Sequence, residues 1–181
     1  MTGTGKHNGF KTPSPWVERF AGRVAPGGAV LDLACGRGRH ARLFLERGHP
    51  VVAVDRDISG LSDIEAPALR TVAADLEDGS PWPLGAERFA AVVVTNYLYR
   101  PLFSHILAAL APGGVLIYES FAKGNERLGR PRNPDFLLDP GELLEVARGR
   151  LKVVAYEDLT VQAPKPACIQ RICAVDKADA G

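Results

Sequence analysis

The stretch that most constrains this chain covers residues 30–41, with the sequence VLDLACGRGRHA. Its apolar start is typical of a buried strand, which ends near Ala34. A turn containing Gly36 and Gly38 follows, and apolar residues at helical spacing from Ala41 onward predict a helix. A strand that passes through a glycine turn into a helix builds a ligand cradle, because glycine lets the backbone approach a bound molecule and the helix N-terminus offers unpaired N–H groups.

The glycine spacing alone fits two classes of ligand. Gly36, Gly38 and Ala41 match the dinucleotide pattern G-x-G-x-x-G/A. Asp32 favours the other class, because its carboxylate would repel the pyrophosphate of a dinucleotide and attract a ligand that carries an ammonium and a sulfonium group. An ordinary strand–helix turn, in which the glycines serve only the geometry of the chain, is the third possibility.

The same stretch resembles the first motif of the class I S-adenosylmethionine-dependent methyltransferases, in which an apolar pair and an acidic residue precede a Gly-x-Gly turn. Ala34 stands where that family usually has its first glycine, and Cys35 occupies the turn itself. The resemblance implies an α/β fold with a Rossmann-like, doubly wound seven-stranded sheet, mostly parallel with a C-terminal antiparallel hairpin. It also implies S-adenosyl-L-methionine as cofactor and S-adenosyl-L-homocysteine as product.

The next two strand ends carry further candidates for cofactor binding. Residues 50–55 form an apolar run that ends in Asp55, about 20 residues after the glycine turn, where an acidic residue can accept hydrogen bonds from ribose hydroxyls. Arg56 and Asp57 follow closely, which leaves an ambiguity of one position. The resemblance implies that Asp75 binds the adenine amino group and that the N–H of Leu76 contacts a ring nitrogen. A capping or solvated carboxylate is the alternative at both aspartates.

Polar and aromatic side chains gather where the fourth and fifth strands end. They are Asn96, Tyr97, Tyr99 and Arg100 after the fourth strand and Glu119 near the end of the fifth. We expect Asn96 or the backbone nearby to contact the cofactor and Tyr97, Tyr99 and Arg100 to face the methyl acceptor. Aromatic rings beside a sulfonium can also make cation–π contacts. Tyr97, Tyr99 and Glu119 are the candidate catalytic residues, with packing or capping as the alternative for the tyrosines. A general base is needed only if the acceptor must lose a proton.

Capping signals and apolar runs predict the remaining elements. A helix is expected from Ser14, with Trp16 either packing on the sheet or covering the ligand as part of a lid. A second helix, over residues 101–110, is expected to stop at a Pro-Gly-Gly turn. The remaining strands are predicted at residues 115–121, 151–156 and 167–175. The last two form an antiparallel hairpin, because their connection is too short for a parallel crossover.

Residues 122–134 lack periodicity and are rich in positive charge. Their cations are Lys123, Arg127, Arg130 and Arg132, against the single acid Glu126. Loops of about 12 residues or more in compact domains are often binding loops, and a basic lid would suit an anionic acceptor; a solvated surface loop is the alternative. The segment ESFAKGNERLGRPRNPDFLL is also similar to small bacterial methyltransferases of the tellurite-resistance type.

Length, charge and cysteine content favour certain partners and compartments. A chain of 181 residues is expected to hold one methyltransferase domain at residues 14–176, between a flexible segment, 1–13, and a tail, 177–181. The net charge of +1 favours a small-molecule acceptor, although a nucleic acid stays open. Without a run of about 18 apolar residues or a signal peptide, no membrane association is expected. Three cysteines without C-x-x-C spacing predict a cytoplasmic protein with no metal site.

Together these features predict an S-adenosylmethionine-dependent methyltransferase that works by in-line displacement. The acceptor lone pair attacks the methyl carbon opposite the sulfur, so positioning and desolvation can supply most of the acceleration. Two alternatives stay open. One is an NAD(P)-dependent oxidoreductase, and the other is a non-catalytic module that binds adenosylmethionine or adenosylhomocysteine.

Overall fold

The computed structural model describes residues 12–177. Most of the predicted N-terminal segment, residues 1–11, and of the predicted tail, residues 178–181, lies outside this range. The strands are β1 (Val30–Leu33), β2 (Val51–Asp55), β3 (Leu69–Ala73), β4 (Phe89–Thr95), β5 (Leu110–Phe121), β6 (Leu151–Val161) and β7 (Ala167–Asp176). The α-helices are α1 (Pro15–Ala21), α2 (Arg39–Glu46), α3 (Phe103–Ala108) and α4 (Glu142–Ala147).

The seven strands form one sheet in the order β3-β2-β1-β4-β5-β7-β6. Strands β1 to β5 are parallel, and β7 runs antiparallel to both β5 and β6. The chain winds outward from β1 to β3 and then returns to place β4 on the other side of β1. The predicted fold class is therefore confirmed, including the C-terminal antiparallel hairpin.

Alternate residues of the central strands feed two separate hydrophobic cores. Leu31 and Leu33 of β1 pack with the buried faces of α3 and α4, whereas Val30 packs with those of α1 and α2. Strands covered on both faces read as continuous apolar runs, which is why β1, β2 and β4 are evident in the sequence. Within residues 12–177, no helix combines the length and apolar character needed to cross a membrane.

Helix α1 begins as predicted. The Ser14 hydroxyl oxygen accepts the backbone N–H of Trp16 at 3.1 Å, and Pro15 occupies the first helical position. The Trp16 side chain is 1% exposed and donates its indole N–H to the carbonyl of Ile172 at 3.2 Å. Trp16 therefore packs on the sheet, and the lid alternative is wrong.

The helix predicted over residues 101–110 is shorter in the structure. A 3-10 turn, Arg100–Leu102, precedes α3, and β5 already begins at Leu110. The Pro-Gly-Gly segment lies within β5 as a bulge, where the register with β4 shifts between Phe89 and Ala91. A Cβ atom on Gly114 would lie 2.9 Å from the carbonyl oxygen of Phe89, so only glycine fits this approach.

Candidate functional site

Backbone strain marks the place where the strand order reverses. Ala34 has φ +53° and follows β1, and Asn96 has φ +54° and follows the neighbouring strand β4. Within residues 12–177 these are the two non-glycine residues with positive φ. Left-handed backbone costs a residue with a Cβ roughly 1–2 kcal/mol, and such strain gathers at functional sites. Open α/β sheets bind ligands in the crevice at this reversal.

The glycine turn between β1 and α2 leaves room for a ligand. Gly36 has φ +54°, and a Cβ placed there would meet nothing within 4 Å. Gly38 has φ +71°, and its Cβ would lie 2.4 Å from the side chain of Leu61. Gly38 therefore allows the 3-10 turn Ser59–Leu61 to pack beneath the loop, while the backbone at Gly36 borders open space.

Asp55 connects the end of β2 to this turn. One carboxylate oxygen, Oδ2, accepts the N–H of Gly36 at 2.8 Å, and the other, Oδ1, accepts the N–H of Asp57 at 3.1 Å. Each oxygen keeps a second lone pair, so the half-buried carboxylate can also accept hydroxyl donors from a ligand. Arg56 and Asp57 are both exposed, whereas Asp55 bonds to Gly36, so Asp55 is the acidic position that belongs to the turn.

Asp32 lies beneath the turn, 2% exposed. Its Oδ2 accepts the N–H of Ala41 at 2.9 Å, which fixes the first turn of α2. Burial raises the pKa of Asp32 to about 7, against the opposing effects of the Ala41 hydrogen bond and the nearby Arg39 guanidinium. Any attraction that this carboxylate exerts on a cationic ligand therefore acts from below the loop and strengthens as the pH rises through 7.

Asp75 and Leu76 line a cavity of about 350 Å³ next to the end of β3. Asp75 is exposed, and its Oδ1 accepts the N–H of Glu77 at 2.9 Å in a tight local turn. The far side of the cavity holds Trp82 and His105, whose rings stack 5.2 Å apart at an interplanar angle of 6°. Asp75 thus presents a carboxylate at the sheet edge that also carries Asp55.

A second cavity, of about 220 Å³, opens next to the end of β4. Its lining residues are Glu77, Asn96, Tyr97, Leu98, Ser120, Phe121, Pro131 and Phe136. The hydroxyl oxygen of Tyr97 is buried and makes no hydrogen bond of ordinary geometry with any residue among 12–177. Burial, and then the nearby Glu77 carboxylate, raise the pKa of Tyr97, so its side chain is a neutral phenol. Tyr99 is absent from this lining and packs against the hydrophobic core.

The structure assigns Glu119 to an ion-pair network. Its Oε1 accepts the hydroxyl of Ser14 at 2.7 Å, and its Oε2 accepts the guanidinium of Arg171 at 3.2 Å. Arg171 also donates to Glu157 at 2.7 Å. Protein groups thus engage both carboxylate oxygens, so the geometry favours a structural role for Glu119.

His40 continues the same network as a neutral imidazole. Its Nε2 accepts the backbone N–H of Ser14 at 3.1 Å, and Nδ1 lies 3.5 Å from the hydroxyl of Thr95. Burial, together with the charge of Arg39, lowers the pKa of His40 to about 3. His40 therefore stays uncharged at neutral pH and holds the start of α1 against α2.

Arg100, expected to face the acceptor, instead anchors the segment after β5. Its guanidinium donates to both carboxylate oxygens of Glu142, at 2.7 and 2.9 Å. It also donates to the carbonyls of Asp135, at 3.0 Å, and Leu137, at 2.9 Å. These bonds hold the 3-10 turn Pro134–Phe136 in place. Sequence reasoning missed the pair, although the Asp-Pro-Gly-Glu capping pattern that ends in Glu142 is visible.

The basic segment, residues 122–134, is ordered by one buried side chain. Asn125 donates from its amide to the carbonyl of Pro131 at 3.2 Å and accepts the N–H of Cys168 at 3.2 Å. Lys123 pairs with Asp139. The segment's four cations are exposed, and none of them is among the residues that line the 220 Å³ cavity.

The described cysteines and acidic residues form no metal site, and Cys35 is not a reactive thiolate. Cys35 is buried in the glycine turn, and burial raises the pKa of its thiol, which stays protonated. All three cysteines are free thiols. Between residues 12 and 177, no group of three or more His, Cys, Asp or Glu side chains is placed to hold a metal ion.

Comparison with known proteins gives consistent results. Residues 6–137 match the family model described as "Methyltransferase domain". The trans-aconitate 2-methyltransferase of Rhizobium meliloti (strain 1021) is 32% identical over 153 residues, which cover 78% of this chain and 54% of that protein. This chain thus spans about half the length of that relative.

Solved structures share the fold at low sequence identity. TehB from Haemophilus influenzae has a TM-score of 0.71 and 16% identity, covering 90% of this chain and 61% of that one. A Burkholderia thailandensis 1,6-didemethyltoxoflavin-N1-methyltransferase, with 1,6-didemethyltoxoflavin and S-adenosylhomocysteine bound, has a TM-score of 0.63 and 20% identity, covering 90% and 77%. At these identities the likeness concerns the fold alone.

Proposed function

The chain belongs to the methyltransferase domain family, and from that premise we propose that it is an S-adenosylmethionine-dependent methyltransferase with its domain at residues 14–176. The observation that carries the proposal is the Asp55–Gly36 hydrogen bond, which places a carboxylate beside a glycine turn bordering open space. The same arrangement supports S-adenosyl-L-methionine as cofactor. Three free thiols support a reducing, cytoplasmic setting.

The donor set at the strand ends fits this cofactor residue by residue. Asp55 would accept the ribose hydroxyls, with Arg56 beside it. Asp75 and the backbone of Leu76 would hold adenine. The turn around Gly36 would hold the methionine portion. The neighbouring positions Asp32, Ala34, Cys35, Gly38 and Asn96 complete the proposed cofactor site.

Bound S-adenosylmethionine would supply an activated methyl group on a sulfonium. The protein then needs to align the acceptor with that methyl group and exclude water, and these effects can supply most of the acceleration. A small molecule is the proposed acceptor, because the cavity beside Asn96 and Tyr97 measures about 220 Å³. The relatives named for trans-aconitate and for 1,6-didemethyltoxoflavin support that size class.

Thermal unfolding with three candidate ligands tests the proposal. S-adenosylhomocysteine and S-adenosylmethionine should each stabilise the protein, by about 2.7 kcal/mol at a concentration 100 times Kd, whereas NADH should not. Stabilisation by NADH alone would overturn the proposal in favour of an oxidoreductase. Incubating the protein with S-adenosylmethionine and a metabolite extract then tests catalysis, because a module that only binds the cofactor would transfer no methyl group.

A further inference from the structure

The 220 Å³ cavity also indicates the chemistry of the acceptor. Building on the proposed function, we infer that this cavity takes an amine carried on a single apolar ring and rejects a carboxylic acid. Three features of the cavity support this inference: its one charged residue, its aromatic side chains and one buried hydroxyl.

The charge lining this cavity is negative. Glu77 is its only charged residue among those described in the range 12–177. Arg130 and Arg132 flank the lining residue Pro131 in sequence, but both are exposed and neither is in the lining. Lys123 pairs with Asp139, and Arg100 is engaged by Glu142. A carboxylate ligand would lie beside the exposed Glu77 carboxylate without a compensating cation and would be repelled, whereas an ammonium group would gain a charged partner.

Part of the cavity wall is apolar. Phe121, Pro131 and Phe136 supply it. The ring of Phe136 is 44% exposed, although it is large and hydrophobic. Arg100 donates to the carbonyls of the residues on either side of Phe136, which holds the backbone that carries that ring. A volume of about 220 Å³ is below the roughly 300–1,000 Å³ of drug-sized pockets, so one ring with a short substituent fits.

The Tyr97 hydroxyl supplies a polar contact beside this apolar part of the wall. Its oxygen is buried, and no residue within 12–177 donates a hydrogen bond to it. The Glu77 carboxylate lies close to the same hydroxyl group. Buried polar groups are normally hydrogen-bonded, so a ligand donor such as an amine N–H would complete this one. Glu77 and Tyr97 line the same cavity, and together they offer one charged and one neutral acceptor.

Methyl transfer to such an amine conserves protons, electrons and charge. An amine that enters as an ammonium ion gives one proton to the Glu77 carboxylate and recovers its lone pair. That lone pair forms the new N–C bond, while the electrons of the breaking S–CH₃ bond stay on sulfur. The positive charge passes from sulfur to nitrogen, and the products are a methylammonium ion and S-adenosylhomocysteine.

Calorimetry with two ring probes of similar size tests the inference. The protein is first titrated with S-adenosylhomocysteine, and a failure to bind at this stage would count against the proposed function itself. The loaded protein is then titrated with benzylamine and with benzoate. Benzylamine should bind at least about tenfold more tightly than benzoate. The E77Q substitution should remove most of that preference for benzylamine. E46Q, which alters an exposed carboxylate at the end of α2, should leave it unchanged.

Normal binding of S-adenosylhomocysteine with equal or tighter binding of benzoate would overturn the inference alone. An E77Q variant that binds S-adenosylhomocysteine normally and keeps the full preference for benzylamine would also overturn it, as would a loaded protein that binds neither probe.

Discussion

The carboxylate of Asp55 and the backbone N–H of Gly36 are joined by a hydrogen bond of 2.8 Å that crosses from the end of β2 to the turn after β1. The bond links two neighbouring parallel strands at their carboxyl ends. One side chain thereby fixes the shape of the glycine turn and remains available to a ligand.

Replacing Asp55 separates these two effects. Asp55→Ala should weaken binding of S-adenosylhomocysteine by roughly 1.5–3 kcal/mol, because charged hydrogen bonds to the ligand are lost. Asp55→Asn can still accept the Gly36 N–H through its amide oxygen, so it should bind more tightly than the alanine variant. Isothermal titration calorimetry measures both affinities, and unchanged binding by Asp55→Ala would exclude this residue as the ribose ligand.

Asp32 should distinguish the charged cofactor from the neutral product. Asp32→Asn keeps an oxygen that can accept the Ala41 N–H but removes the charge. It should therefore weaken binding of S-adenosylmethionine more than that of S-adenosylhomocysteine, by roughly 1 kcal/mol at pH 8. The readout is the ratio of the two dissociation constants. An equal loss for both ligands would show that Asp32 acts only by positioning α2.

His40 should make the folded state sensitive to acid. Its pKa is about 3 in the folded protein and about 6.5 when unfolded, so the unfolded chain binds more protons between these values. The contribution of His40 to stability is present above pH 6.5 and is lost as the pH falls toward 3. Between pH 7.5 and 5.0, the free energy of unfolding should fall less for His40→Gln than for the unmodified protein. Urea unfolding at the two pH values measures this difference.

Asp32 provides the opposite control in the same experiment. Its folded pKa of about 7 exceeds its usual value, so burying its charge costs stability above pH 7, and that cost is relieved as the pH falls toward about 4. Asp32→Asn should therefore show a steeper loss of stability between pH 7.5 and 5.0 than the unmodified protein. A shallower loss in this variant would contradict the assignment.

Ala34→Gly should stabilise the protein. Ala34 adopts φ +53°, a conformation that glycine reaches without the Cβ penalty. We expect a gain of roughly 0.5–1 kcal/mol in the free energy of unfolding, net of the greater entropy of the unfolded glycine variant. Ala108→Gly, at an exposed position of α3, is the matched control and should lower stability. Destabilisation by both substitutions would show that the Ala34 methyl group makes contacts worth more than the strain.

Local spacing in the sequence determined the parts of this protein that short segments build. The apolar runs predicted the central strands, and Ser14 marked the start of α1. The interval after the glycine turn identified Asp55 as a candidate ligand at the end of β2. Such features are readable because neighbouring residues, or consecutive strands of a parallel sheet, supply both partners.

The tertiary structure alone decided which distant groups neutralise one another and which remain available. Glu119 meets Arg171 across 52 positions, and Arg100 meets Glu142 across 42. No local pattern predicts these pairs, because they form only when separate elements pack together. The protonation of Asp32 and His40 likewise depends on burial, which is a property of the assembled core and not of the chain.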